Sequence, residues 1–278
     1  MVGPASEMRD DILNDWSRFS LTEKEVPQVT LIRSNKKSEF ALAAKFLTKR
    51  VLNAEAIGRT FKPLWKTQRS FQVQDMGNHI MVFVFETKND VERVLMNEPW
   101  CFDKHLVLFQ KYVSGQPIHQ LQFNLVPFWL QFHGLPIDHL TDETTVMIGN
   151  LVGNVIHSQI KEKLMGGDFL RIRVNVEITK LLCRGHWVLL EAGREVWVLF
   201  KYEKIPNFCY WCGLVSHDDK NCGKWLVSKG ILDITNQEYN AWLPAPPFNH
   251  GKKTMVSVKG YEDEEEESSQ FALGTVER

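Results

Sequence analysis

The tightest constraint on this chain lies in one fourteen-residue stretch, Cys209-Tyr210-Trp211-Cys212-Gly213-Leu214-Val215-Ser216-His217-Asp218-Asp219-Lys220-Asn221-Cys222, spaced C-x2-C-x4-H-x4-C. Zn²⁺ takes four such ligands in a tetrahedron, with sulfur at about 2.3 Å and nitrogen at about 2.0 Å. Two cysteines separated by two residues wrap a tight turn around an ion, and Gly213 comes next, where that turn calls for positive φ. Cys209, Cys212, His217 and Cys222 fill all four positions and leave no place for an activated water. The expectation is one structural Zn²⁺, not a catalytic one. A segment this short buries too little apolar surface to hold a shape alone, so metal binding and folding are expected to be one event.

The remainder of the 278 residues has room for two modest domains. A composition of 44% hydrophobic and 24% charged residues is that of a globular chain in water. No apolar run approaches the roughly 18 residues of a membrane helix, and the N-terminus lacks the apolar core of a signal peptide. Neither membrane association nor export is expected. Five cysteines, three of them in the motif, fit a reducing compartment. The expected location is intracellular, with nucleus and cytoplasm undecided, since Lys252-Lys253 is too short to act as a nuclear address. Cys101 and Cys183 read as buried free thiols. Charge is split along the chain: residues 40–113 carry 11 Lys/Arg against 7 Asp/Glu, whereas residues 261–278 carry 7 acids against Arg278 alone. A mildly basic body with an acidic end is compatible with nucleic-acid binding.

Residues 1–38 read as an N-terminal helix and linker. Met8, Ile12, Trp16 and Phe19 form one stripe of a helix from Glu7 to Phe19, which docks either on a partner or on its own domain. Val29 to Ile32 offers an edge strand. Residues 39–113 alternate element types. Phe40 to Leu47 is a strand. A helix from Ala54, capped by Asn53, turns Ile57, Phe61 and Leu64 inward and ends or kinks near Pro63. Phe71 to Asp75 and Ile80 to Phe85 form a hairpin. A helix from Asn89 or Asp90 sets Val91, Val94 and Leu95 on one face and stops before Pro99; His105 to Tyr112 is the last strand. The order is βαββαβ, the ferredoxin-like arrangement that RNA-recognition domains share. Asn78 to Phe85 lacks the basic start and paired surface aromatics of the RNA-recognition signature, and Phe83 and Phe85, on one face, are either core or a stacking platform. Arg59, Lys62 and Lys66, with Arg69 just after, lie on the outer helix face, where they either contact phosphates or are simply solvated.

Residues 126–205 read as a second α+β unit of antiparallel strands. A strand through Pro127 to His133 stops at Gly134-Leu135-Pro136. Thr141 caps a helix with Val146, Met147, Ile148 and Leu151 inward and Gly153 as its stop. Val155 to Ile160 is a strand. The alternation of Phe169 to Ile178 sets Arg171 and Arg173 on a wet face, gripping phosphates or keeping the sheet soluble. His186 to Leu190 and Glu195 to Tyr202 pair around Ala192-Gly193. The zinc knuckle occupies 206–224. A short helix or loop and the run Tyr239-Asn240-Ala241-Trp242-Leu243-Pro244 come after it, and 244–278, with acids from Glu262 to Glu267, read as a disordered tail. The fold class is α+β: a ferredoxin-like, RNA-recognition-like domain, a second antiparallel-sheet unit and a small CCHC knuckle.

Several stretches carry a resemblance: Phe40-Ala41-Leu42-Ala43-Ala44-Lys45-Phe46-Leu47, Glu98-Pro99-Trp100-Cys101-Phe102-Asp103, Pro127-Phe128-Trp129-Leu130-Gln131-Phe132-His133-Gly134-Leu135-Pro136, Lys201-Tyr202-Glu203-Lys204-Ile205-Pro206-Asn207-Phe208-Cys209, and the knuckle itself. The chain resembles plant "domain of unknown function 4283" proteins that carry a CCHC zinc knuckle. These are related to the gag-like, nucleic-acid-binding first product of LINE-type retrotransposons. The resemblance implies binding of single-stranded RNA or DNA and descent from a mobile element. It also implies that Tyr210, directly after the first cysteine, stacks on a base, with Trp211 as a second plane and Lys220 as a phosphate contact. Ser216 stands where such knuckles usually carry glycine, and Asp218-Asp219 add negative charge. Both predict weaker binding than a basic knuckle gives. The alternative is a protein-interaction module that uses the knuckle as a docking surface, its acidic pair suiting a basic partner. The motifs G-x-x-x-x-G-K-S/T, H-E-x-x-H, G-x-S-x-G and the deaminase pair H-x-E with P-C-x-x-C are all missing, so a non-catalytic role is expected. Oligomeric state is not legible.

Overall fold

β-prone runs in the first half pair into one antiparallel sheet. Its central strand is β1 (Phe40–Phe46), flanked by β3 (Ile80–Phe85) and β5 (His105–Tyr112), with β2 (Phe71–Asp75) and β4 (Trp100–Phe102) at the edges. The order β2-β3-β1-β5-β4, with helices α1 (Ala54–Trp65) and α2 (Lys88–Met96) after the first and third strands, is ferredoxin-like with an added edge strand. This computed structural model describes residues 40–113, 116–157, 168–228 and 231–246. The expected helix at 7–19, edge strand at 29–32, residues 158–160 of a strand and tail beyond 246 lie outside them.

Asn53 caps α1 by accepting the Ala56 N–H at 2.9 Å, and Thr87 caps α2 by accepting the Asp90 N–H at 3.2 Å, so α2 begins a residue or two before its expected start. α1 buries Ile57, Phe61 and Trp65, a spacing of four, and leaves Leu64 51% exposed. This corrects the expected inward Leu64. Pro63 sits in the last turn without ending the helix, which closes at Lys66 in the left-handed region, φ 48°. Phe83 and Phe85 are core residues, 0% and 3% exposed, packed with Leu42, Phe46 and both helices. The opposite face of the sheet is covered as well. Ala41, Ala43 and Val82 pack against Leu121 with Ile118 and Phe123, while Leu106 and Leu108 join the second core.

The second sheet contains β6 (Leu125–His133), β7 (Asn154–Val155), β8 (Phe169–Glu177), β9 (Gly185–Leu189) and β10 (Glu195–Tyr202), ordered β7-β8-β6-β10-β9 and antiparallel throughout. Counted from its own first strand, this is the order of the first sheet. Helix α3 (Asp142–Val152), capped by Thr141, comes after its first strand. Among the described residues no helix comes between its third and fourth strands. α3 turns Thr145, Ile148 and Gly149 inward, while Met147 and Leu151 are 66% and 52% exposed, not inward as expected. α3 ends at Gly153, where the backbone runs so close to β8 that a Cβ would strike the Asn175 carbonyl. β8 is buried on both faces. The expected tail start at 244 is also corrected: Tyr202 N–H donates to Leu243 O at 2.9 Å and Ala245 N–H to Tyr202 O at 2.8 Å, tying 243–245 to β10. Among the described residues no helix is long and apolar enough to cross a membrane.

Candidate metal centre

After β10 the chain turns through Lys204, at φ 54°, and reaches Cys209 by way of Phe208, which is buried in the second core. A short hairpin then forms: Cys209 N–H donates to Leu214 O at 2.8 Å and Gly213 N–H to Cys209 O at 2.7 Å, with Gly213 at φ 73°. A side chain at Gly213 would be strained, and its Cβ would run into the Tyr239 ring. Asp218 caps the next turn by accepting from the Asn221 N–H and side-chain amide. That turn delivers Cys222 to the start of helix α4 (Gly223–Ser228).

These turns make the ligands converge. Ligand atoms of Cys209, Cys212, His217 and Cys222 all lie within 4.8 Å of one another, and Cys212 Sγ is 3.3 Å from His217 Nε2. The edges of a zinc tetrahedron are about 3.5–3.8 Å, so one ion fits with small adjustments. His217 Nδ1 lies 3.2 Å from Ser216 Oγ, which orients the ring with Nε2 toward the sulfurs. The cysteines are buried and the histidine half-buried. Burial pushes the Cys209 and Cys212 thiols up. Burial also acts to raise Cys222, but the Trp225 and Lys224 N–H groups of α4, with His217 and Cys209, outweigh it and bring that thiol down to about 7. Three sulfurs and one imidazole, closed off by protein, suit one structural zinc, whose charge would hold the thiolates. Cys101 and Cys183 are half-buried rather than buried, and burial raises both.

The knuckle is built into the second core. Leu182 N–H donates to Gly213 O at 3.1 Å, Tyr239 N–H to Tyr210 O at 3.1 Å, and the Tyr239 hydroxyl to Leu182 O at 2.9 Å. Phe208, Val215, Tyr239 and Leu243 share one core cluster with Phe128, Ile148 and Tyr202. The only hint of this docking in the sequence is the aromatic run after the knuckle, to which sequence reasoning assigns no role.

The sequence-predicted nucleic-acid residues divide. Tyr210 is half-buried against Phe208, with ring centroids 4.9 Å apart, and its N–H donates to Asp219 Oδ1. Lys220 is exposed. Arg59, Lys62 and Lys66 are exposed on and just past α1, with Arg59 3.3 Å from Glu55. Trp211 is corrected: it is 6% exposed and stacked on Trp225 at 5.0 Å and 14°, so it fills the knuckle interior. Arg171 and Arg173 are corrected as well, at 2% and 3% exposed. Arg171 grips Glu203 with two bonds of 2.7 and 2.8 Å, over the Trp129 ring at 3.7 Å. Arg173 donates to the Met96, Leu95 and Glu98 carbonyls at 2.6, 3.1 and 3.0 Å, a cation at the C-terminal end of α2. The face expected to be wet is sealed by these contacts.

Residues 34–117 match the family model described as Domain of unknown function (DUF4283), and residues 176–224 match that described as Zinc knuckle. None of the curated proteins matches the chain. Over residues 34–117 the chain is therefore similar to the domain of unknown function 4283, and over residues 176–224 to a zinc knuckle, whose Cys209, Cys212, His217 and Cys222 fit one structural zinc ion.

Proposed function

We propose that the protein binds single-stranded nucleic acid, RNA or DNA, through its zinc-loaded knuckle, without catalysing a reaction on it. The observation that carries this is the knuckle's construction: four protein ligands close the metal site, while Tyr210 is only half-buried and Lys220 is exposed. The exposed cations Arg59, Lys62, Lys66 and Arg69 supply a second surface for phosphates. Descent from a retrotransposon of plant type and an intracellular location belong to the same proposal. The docking alternative loses its main support, because Asp218 and Asp219 are turned to the knuckle's own N–H groups. Fluorescence anisotropy of zinc-loaded protein with labelled single strands and duplexes tests the reading. Binding to single strands should weaken steeply between about 50 and 200 mM salt. Tyr210→Ala should weaken it about fivefold to a hundredfold, as loss of one stacked base does. Salt-independent binding, or none, would sink it.

A further inference from the structure

We propose that the open half of the second sheet's outer face is a second seat for unpaired bases, with Trp187 and Trp197 as its stacking rings. The proposal rests on the nucleic-acid reading above and extends it from the knuckle to the hairpin beside it.

Among the eight tryptophans of the described residues, only Trp187 and Trp197 are exposed, at 60% and 40%. They stand directly opposite each other on β9 and β10, with ring centroids 5.4 Å apart. The strand period of two places Leu199, Lys201 and His133 on the same face, and His133 pairs with Phe169 on β8, their rings 4.7 Å apart. Rings of Trp187, Trp197 and His133 therefore stand on three adjacent strands, about 4.8 Å apart, the arrangement on which a sheet receives successive bases.

Lys201 gives this face a cation for a phosphate to meet beside the rings. Lys201 lies on this face and makes no ion pair among the described residues. Its cation, after burial, holds His133 below its ordinary range against the opposing pull of Asp168. Glu195 is on this face too, two residues before Trp197 and on the side of the rings away from Lys201. The rest of this face is sealed by the Arg171–Glu203 pair and by Arg173 against α2.

The seat and the knuckle border the same hairpin, the rings on its outer face and the knuckle packed on its inner one. Arg184, just before β9, lies 5.5 Å from the Tyr239 ring, and Tyr239 in turn bonds Tyr210. The zinc-knuckle family match begins at Val176 and so takes in both strands of the hairpin. From Arg184 to Trp187 the chain spans at most about 10 Å. A strand long enough to pass round the β9 edge would engage both sites, and linked sites bind more tightly than either alone.

The test is anisotropy of labelled oligouridine with the zinc-loaded 278-residue chain in four forms: wild type, Trp187→Ala/Trp197→Ala, Trp187→Phe/Trp197→Phe, and Tyr210→Ala. The double alanine variant should bind a long oligouridine at least about tenfold more weakly. The phenylalanine variant should stay within a few-fold of wild type. An oligouridine of about four nucleotides, too short to bridge the sites, should lose the linked-site gain and so respond less to the tryptophan changes. Unchanged affinity of the double alanine variant, with Tyr210→Ala impaired, would overturn the seat and leave the knuckle reading standing. The reverse pattern would overturn the knuckle reading and keep the seat. A dimer in sedimentation that the double alanine variant converts to monomer, with oligouridine binding unchanged, would assign the surface to protein contact and overturn the proposal.

Discussion

Four side chains carry more of the fold than their residue types suggest. Removing one member of the buried Arg171–Glu203 pair strands the other, so Arg171→Ala should cost about 3–5 kcal/mol in urea unfolding, whereas Arg171→Met combined with Glu203→Leu should cost far less. Asp90 is fully buried and accepts from the Gln68 N–H at 2.8 Å, the Arg69 N–H at 3.3 Å and the Thr87 hydroxyl at 2.8 Å. Burial acts to raise its carboxyl, but these bonds win and hold it below the usual range. A depressed carboxylate adds stability that is complete above its unfolded value of about 3.9 and is lost as pH falls below it. Urea midpoints of wild type and Asp90→Ala should therefore converge in acid. Glu98 behaves oppositely, since burial pushes it up to about 8 against the Arg173 cation and the Phe109 N–H. Its contribution to stability falls as pH rises from about 4.3, its unfolded value, toward 8. Glu98→Gln should remove that decline, and a midpoint that keeps falling across the window would refute the assignment. Alternation along β8 places both arginines on the correct face. It does not tell that the face is covered, because a period of two orders side chains without saying what packs on them.

Among elements, those legible from sequence are the ones whose pattern is local. β2, β3 and β5 end where their β-prone runs end, and Asn53 and Thr141 cap α1 and α3 as expected, whereas Thr87 caps α2 ahead of its expected start. The four zinc ligands are legible because ligand chemistry and spacing are local too. β4 is not: it is three residues between Pro99 and a tight turn at Asp103 and Lys104, both at positive φ. Leu64 and Trp65 exchange roles because helical spacing permits either three or four, and the Phe61–Trp65 stack, 4.6 Å between ring centroids, decides for four. The docking of the knuckle is not legible either, since it depends on contacts 57 residues apart in the chain, Tyr239 with Leu182. Gly213→Ala should weaken this docking through both backbone strain and collision with Tyr239, lowering the thermal midpoint and the near-ultraviolet signal of the aromatic cluster while the first sheet keeps its strands.

At the scale of the whole molecule, zinc is expected to matter well beyond fourteen residues. Chelation should release Phe208, Val215 and Tyr239 from the core they share with β6 and β10, so calorimetry should show a lowered main transition and not merely the loss of a small separate one. The first sheet also depends on the second unit for cover. A fragment of residues 40–113 would expose Ala41, Ala43, Val82, Leu106 and Leu108, and should aggregate more readily than one extended through the second unit. Equal solubility of the two fragments would argue against a shared core. The repeated strand order carries a hazard of its own. A nascent chain that lays out the same pattern twice offers β1 and β6 as rival central strands, and each half could recruit neighbours meant for the other. A swapped β8 would carry two guanidinium groups away from Glu203 and from the carbonyls that end α2, an error costing several kcal/mol. Those two arginines thus keep their partners only when β8 lies beside β6 in its own sheet.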